Sequence, residues 1–363
     1  MKIIGVRLFQ FRIPFASPIQ VGGMQLDKRE GLLVAIEDDQ GHVGWGETAP
    51  LPGLDTIQME QCLEELRAAK NTLAGQPLDW NAFTISSPMM GLFPKMDTIH
   101  SLTAFGLESA LLWLWVGRDK KHPWPKGDAL SVPVNGLFVP SSDPKEFKKQ
   151  SERLKARGFS AVKVKIGRLN PDEEVRQILE LDSFFDHAIT LRPDANQSLN
   201  PDQYQTYYEA LKATNVEYVE EPLRPEFDFF EAAQVPWPLA LDESLDKFAE
   251  QKDLLPKSLG AVILKPGSFD GIHGMARAMT SFHDQGIKTV LSSSFNSGIG
   301  VTNIAVLAAL KGKETAHGLD TLYYFNQDVL AAPLIIDKGL LNIPMSLFTQ
   351  KAPFQPGLLE EIS

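Results

Sequence analysis

A chain of 363 residues, 43% of them hydrophobic, can bury a large core and is long enough for two domains or for one large domain with an addition. Its 35 lysines and arginines against 46 acids leave a formal net charge of −11, which argues against nucleic acid or an anionic membrane as a partner and favours a small-molecule enzyme. Cys62 is the only cysteine, so an intramolecular disulfide and a cysteine zinc cage are both excluded, in keeping with a reducing cytoplasm.

The first residues run directly into strand-like alternation without a long apolar segment or a small-residue cleavage site, so secretion is not expected. No stretch approaches the roughly 20 apolar residues of a spanning helix, and a cytoplasmic protein is the expectation. Residues 3–6 and 31–36 read as strands, with Gly22-Gly23 between them as a mobile loop. Residues 44–56, rich in Gly and Pro, form a shaped loop, and helical periodicity then covers 58–73 and 102–116. Strands followed by helices predict an α+β unit over 1–122.

After the turn-rich residues 120–127 the rhythm becomes strand, helix, strand. Strands are predicted at 132–135, 161–166, 188–191, 216–219, 239–241, 261–264 and 289–291, with a weaker eighth at 316–319. Helices are predicted at 171–181, 201–213, 271–284 and 301–310. Such alternation makes a parallel sheet, and a closed barrel over 123–329 is preferred to an open sheet because no Gly-x-Gly-x-x-Gly turn is present. Residues 330–363 show no clear period and are expected to pack back onto the first domain.

The predicted strand at 161–166 is unusual. Strands covered on both faces read as continuous apolar runs, yet Lys163 and Lys165 alternate here with Val162, Val164 and Ile166. If the apolar residues face the helices, both ammonium groups enter the barrel lumen; the alternative is an edge strand with an ordinary lysine face. Asp194, Glu220, Asp242 and Lys265 then follow at intervals of 29, 26, 22 and 23 residues, about the length of one strand, one helix and two short loops. Each acid falls one to three residues past a predicted strand, at the rim where barrel active sites form. Alone, any of these acids reads as a surface or capping carboxylate, and Asp242-Glu243-Ser244 suits a helix amino terminus. Together, three hard oxygen donors suit Mg²⁺, with Mn²⁺ able to substitute. Lys265 should approach from the wall opposite Lys165, Lys163 tunes it, and a lysine among cationic neighbours can serve as a general base.

These motifs, Lys163-x-Lys165, Asp194-x-Asn196, Glu220-x-Pro222, Asp242-Glu243 and Lys265-Pro266, resemble the enolase superfamily. Within its muconate lactonising enzyme subgroup, the segments Gly46-Glu47-Thr48-Ala49-Pro50-Leu51-Pro52-Gly53, Phe105-Gly106-Leu107-Glu108-Ser109-Ala110 and Arg192-Pro193-Asp194-Ala195-Asn196 resemble the o-succinylbenzoate synthase family. The resemblance implies a (β/α)₇β TIM-like barrel with an α+β capping domain completed by the C-terminal tail. It implies syn dehydration of 2-succinyl-6-hydroxy-2,4-cyclohexadiene-1-carboxylate to o-succinylbenzoate in menaquinone biosynthesis. Lys165 would act as base and Lys265 as stabiliser of the enediolate. Asp194, Glu220 and Asp242 would ligate the metal, supported by Asn196 and Glu243. Arg192, Ser294 and Ser297 are candidates for binding the substrate carboxylate, Arg192 equally for pairing with an acid. Asn296 stands where many relatives carry Glu, which bears on Lys265. An N-acylamino-acid racemase or dipeptide epimerase would use the same two lysines, and a non-catalytic binding protein is the reading from another class. His187, His273, His283 and His317 read as helix or loop residues, so a histidine base is not expected; His42, His100 and His122 carry no signal.

Overall fold

Alternating buried and exposed side chains fold the first forty residues into one long hairpin, in which β1 (Ile3–Val21) pairs antiparallel with β2 (Met24–Asp38). The computed structural model describes residues 2–78, 99–118, 129–227, 229–232, 234–245, 255–312 and 314–362. Gly22-Gly23, expected as a loop, is the two-residue turn of this hairpin, with φ of 52° and 78° closing the Val21–Met24 pair. That backbone twist matches the flanking strands, and glycine adopts it without steric cost. β3 (Val43–Thr48) adds to the other edge of β2.

Helices α1 (Met59–Leu73) and α2 (Ser101–Arg118) follow, as expected, and α2 is buried along almost its whole length. It lies so close to β3 that a Cβ at Gly46 would stand 1.8 Å from the Gly106 carbonyl oxygen. The expected boundary at 122/123, the turn-rich 120–127 and His122 lie outside the described residues.

The segment expected to open the barrel, 132–135, is divided between two sheets. β4 (Ala129–Pro133) alternates exposed and buried residues, the mark of a sheet with one wet face, and joins a separate antiparallel sheet with β12 (Ile335–Asp337) and β13 (Leu340–Pro344). Val134 and Asn135 meet His317 in the barrel ring, and the first full barrel strand is β5 (Gly136–Phe138). The barrel continues through α3 (Pro144–Arg157), β6 (Ala161–Lys165), α4 (Pro171–Phe184), β7 (Thr190–Asp194), α5 (Pro201–Leu211), β8 (Val219–Glu220), α6 (Phe229–Ala232), β9 (Leu239–Leu241), β10 (Leu259–Leu264), α7 (Gly271–Asp284), β11 (Lys288–Leu291) and α8 (Gly298–Lys311). Asp143, Asn170 and Asn200 cap α3, α4 and α5 by the same device, each accepting from a backbone N–H at 2.8 to 2.9 Å with proline in the first turn.

β5 to β11 pair in parallel in chain order. The predicted eighth strand is present only as two parallel bridges, Ser292 to Gly318 and His317 to Val134, which join β11 back to the start and close the ring. The tail returns to the cap: β14 (Leu359–Ile362) pairs with β1. Among the described residues no helix is long and apolar enough to cross a membrane.

Two buried acids of the first domain reach barrel helices. Glu108 on α2 meets His273 Nδ1 at 2.7 Å and accepts the His273 N–H at 3.1 Å in the first turn of α7; Glu47 at the end of β3 meets the first turn of α8. Neither helix has an acid in its own first turn, and each positive end receives a glutamate from the other domain, joined at α8 by Asp328, which accepts the Gly298 N–H at 2.8 Å.

Candidate active site

Strand register puts the charged residues in one lumen. Val162, Val164 and Ile166 are buried in the layer between strands and helices, while Lys163 and Lys165 point inward. Lys163 is in register with Arg192 and Lys165 with Asp194, and Asp194 in turn with Glu220 on β8. Asp194 and Glu220 are the last residues of their strands rather than lying beyond them, and Asp242 and Lys265 immediately follow β9 and β10. Below this layer the lumen is filled by Tyr218, Ala240, Ala261, Ile263 and Val290. The charged rim thus stands on a packed floor.

Lys163 Nζ lies between the acids, 2.7 Å from Asp194 and 2.8 Å from Glu220. Lys165 Nζ donates to Asp194 and to the Asn196 amide oxygen, both at 2.6 Å. Lys265 Nζ donates to Asp242 at 2.6 Å from β10, four strands around the ring from β6 and therefore on the facing wall. The Asn196 amide nitrogen donates to Glu243 at 3.0 Å, tying the β7 and β9 loops together.

Burial works against charge on Lys163, but Asp194, Glu220 and Asp242 outweigh it and hold the ammonium well above the usual lysine range. Lys265 is raised likewise, burial being overcome by Asp242 and Glu243. Burial would raise Asp194, yet Lys163 and Lys165 hold it well below the carboxylate range. For Glu220, burial and the charge of Asp194 act together and push it well up, offset only in part by Lys163.

Three acids that chemistry alone would not single out arrange these loops. Glu221 accepts from the Asp242 N–H at 2.8 Å, the Ser244 N–H at 2.7 Å, the Ser244 hydroxyl at 2.8 Å and Gln197 at 3.0 Å, so it sets the turn that carries Asp242. Glu174 accepts three consecutive N–H groups, Gly167, Arg168 and Leu169, at 2.7 to 2.8 Å, and also the Tyr207 hydroxyl, fixing the loop after Lys165. Glu47 reaches across from the cap to the turn after β11. The strand period of 2 is a usable signal for Glu221, since its neighbour Glu220 points inward; nothing in the local sequence marks Glu174, and Glu47 stands out only as part of the segment Gly46–Gly53 that carries the family resemblance.

Among the described residues no three carboxylate, imidazole or thiolate groups stand close enough together to hold an ion, because lysines occupy the spaces beside the acids. The donor set nonetheless fits a divalent cation. Glu220 Oε2 is buried and accepts no hydrogen bond, and it faces the charges of Asp194 and Asp242. An orphaned carboxylate oxygen among further hard oxygen donors is what Mg²⁺ satisfies.

Two of the expected substrate contacts are reassigned. Arg192 lies one inward row below Asp194, is 2% exposed, and has its donors taken by Glu217 at 2.7 Å, Asn135 at 3.1 Å and the Ala316 carbonyl at 2.6 Å, with Tyr218 beneath it. It braces the floor, making with Glu217 the acid pairing that the sequence also allowed. Ser297 is wholly buried, caps α8 and donates its hydroxyl to Glu47. Ser294, on the turn leaving β11, keeps a partly exposed position at the rim. Of the histidines, His273 and His283 are on α7 and His187 is in a loop against Asp182; His317 lies on the bridge that closes the barrel.

Known proteins agree with this architecture. The family profile described as "Enolase C-terminal domain-like" matches residues 146–359, and that of "MenC, N-terminal domain" matches residues 3–92. The o-succinylbenzoate synthase of Pasteurella multocida is 28% identical over 334 residues, spanning 89% of this chain and 91% of its own. That of an Enterobacter species is 29% identical over 323 residues, 88% and 91% respectively. The dipeptide epimerase of Enterococcus faecalis, complexed with Mg and the dipeptide L-Leu-L-Tyr, shares the fold with a TM-score of 0.77 at 20% identity, over 94% of this chain and 97% of its own. With more than half of its length matched by the first profile, the chain belongs to the enolase superfamily.

Proposed function

We propose that the chain is an o-succinylbenzoate synthase, a carbon–oxygen lyase that dehydrates 2-succinyl-6-hydroxy-2,4-cyclohexadiene-1-carboxylate in the cytoplasmic synthesis of menaquinone. The observation that carries this reading is the placement of Lys165 and Lys265 on facing walls of one lumen with Asp194, Glu220 and Asp242 on the strands between them. The synthases of Pasteurella multocida and Enterobacter, similar over most of their length, support the substrate.

Lys165 removes the proton from the carbon that bears the substrate carboxylate. Returned to the departing hydroxyl on the same face, that proton completes the loss of water while the electron pair left on carbon makes the ring aromatic. Lys265, kept protonated by Asp242 and Glu243, faces the negative charge that develops on the enediolate. Lys163 holds Asp194 and Glu220 in place, Asn196 orients Lys165, and Glu243 holds Asn196. Asp194, Glu220 and Asp242 would hold Mg²⁺, or Mn²⁺ in its place, which supplies several kcal/mol of charge stabilisation to a carboxylate that is becoming a dianion.

The test is to incubate the protein with the cyclohexadiene substrate and Mg²⁺, follow aromatisation by ultraviolet absorbance, and compare a Lys165→Ala variant. Turnover that disappears in the variant is expected. Deuterium uptake into N-acylamino acids or dipeptides without aromatisation would replace the synthase with a racemase or epimerase. Inactivity towards both would leave a binding protein.

A further inference from the structure

The turn after β11 is held by a residue of the other domain. Glu47 is 0% exposed, and its carboxylate accepts from the Asn296 amide at 2.8 Å, the Ser297 N–H at 3.2 Å, the Ser297 hydroxyl and the Gly300 N–H at 3.1 Å. Asn296 is buried too, and its other end, the amide oxygen, accepts the Ser294 N–H at 3.0 Å. Both ends of Asn296 are therefore assigned by their partners: a carboxylate demands the NH₂ and a backbone N–H demands the oxygen. A chain of two hydrogen bonds thus runs from the cap to the backbone of Ser294, on the turn beside β10, the strand that Lys265 follows. A carboxylate at position 296 would stand against Glu47 across 2.8 Å, two like charges in a buried place, so an amide is the residue that fits once the cap has brought its own acid. Arg29 of β2 grips the same turn from the cap side, donating to the Phe295 carbonyl at 3.1 Å as well as to the Pro50 carbonyl at 2.6 Å.

We propose that Glu47 is a positioning residue for the reaction: through Asn296 it sets the backbone of Ser294 and hence the substrate-binding rim beside Lys265. Its kinetic consequence rests on the synthase reading; its structural consequence does not.

The experiment is a charge transposition. Glu47→Gln alone sets an amide NH₂ against that of Asn296, and if Asn296 turns over to receive it, Ser294 loses its acceptor. Asn296→Asp alone opposes two carboxylates. Combined, the two changes restore the chain: the carboxylate now at position 296 accepts from both Ser294 and the amide now at position 47, while the oxygen of that amide still accepts from Ser297 and Gly300, and only one of the two contacts of the Ser297 N–H is lost. Each single variant is expected to raise KM about 10- to 100-fold, the size of one charge-assisted hydrogen bond, with a smaller change in kcat. Amide exchange over residues 293–297 should accelerate by a similar factor. The double variant should recover both to within about threefold. Losses that add in the double variant, or single variants with unchanged exchange at 293–297, would overturn the proposal. If Glu47→Gln does not fold, recovery is judged from Asn296→Asp to the double variant, and a double variant that also fails to fold counts against it. Should the wild-type protein not aromatise the cyclohexadiene, the synthase reading falls and the exchange data alone decide the role of Glu47.

Discussion

Acidification through the range of histidine titration should weaken the barrel at its closure. His317 is 0% exposed; its Nδ1 accepts the Leu291 N–H at 3.0 Å and its Nε2 donates to the Gly312 carbonyl at 3.0 Å, so it is the neutral tautomer protonated at Nε2. A proton added at Nδ1 would face a donor. Burial, with a further push from Arg192, lowers its pKa from 6.5 to about 4. The unfolded chain takes up a proton below 6.5 and the folded one only near 4, so stability is full above pH 6.5, declines between 6.5 and 4, and declines no further from this residue below that. At 1.36 kcal/mol per pKa unit the gap is worth about 3 kcal/mol. His317→Asn keeps an acceptor in the place of Nδ1 and cannot titrate. Urea unfolding of both proteins at about pH 7 and about pH 4 separates this contribution from that of the carboxylates, which both share. The variant should start less stable, having lost the Gly312 bond, but lose about 3 kcal/mol less than wild type on acidification. Equal losses would mean that His317 is not held neutral.

Glu174→Gln leaves one oxygen for the N–H groups of Gly167, Arg168 and Leu169 and turns an NH₂ toward donors; a loss of about 2 to 3 kcal/mol by thermal unfolding is expected, with slower turnover because this loop follows Lys165. Unchanged stability would remove Glu174 as the organiser of the loop. Gly46→Ala places a methyl group 1.8 Å from the Gly106 carbonyl oxygen and should cost about 3 kcal/mol or more by lifting α2 from the sheet, read as a lowered midpoint together with a shift in Trp45 fluorescence. Adding Mg²⁺ should raise the wild-type melting temperature and a chelator should reverse the rise; Glu220→Gln should abolish it, and a variant that still responds to Mg²⁺ would exclude Glu220 as a ligand.

Much of this site can be read from spacing alone. Lys163, Lys165, Asp194, Glu220, Asp242 and Lys265 stand out because a parallel strand rarely alternates charge with β-branched residues and because acids recur at the interval of a βα unit. Their side chains do converge at one rim. Less legible is the depth at which a residue sits in the lumen. Arg192 shares a face with Asp194, but one inward row lower it meets Glu217 and Asn135 instead of solvent, and only the register of neighbouring strands reveals that depth. The start of the barrel is only partly legible, because residues 132–135 read as one strand yet split between the outer sheet and the ring, where Val134 meets His317, while the short strand Gly136–Phe138 lacks β-rich composition and its partner is chosen by the tertiary structure. Gly22-Gly23 suggests a loop because the strand pattern is diluted by the polar residues of 25–30, which pair all the same. Contacts between domains, such as Glu47 with Ser297 or Glu108 with His273, join residues far apart in the chain and leave no local pattern to find.

The pair Glu108 and Glu47 bears on how such proteins can be recombined. Each barrel helix that follows Lys265 or Ser294 has no acid within its first turn and receives a buried glutamate from the other half of the molecule. A chimera that grafts a foreign cap onto this scaffold would lose both glutamates from these helix ends, leaving Asp270 at the start of α7 and Asp328, which accepts the Gly298 N–H at 2.8 Å, as the acids that remain there. Exchanging whole caps between relatives is therefore constrained by two buried positions at the seam between the halves.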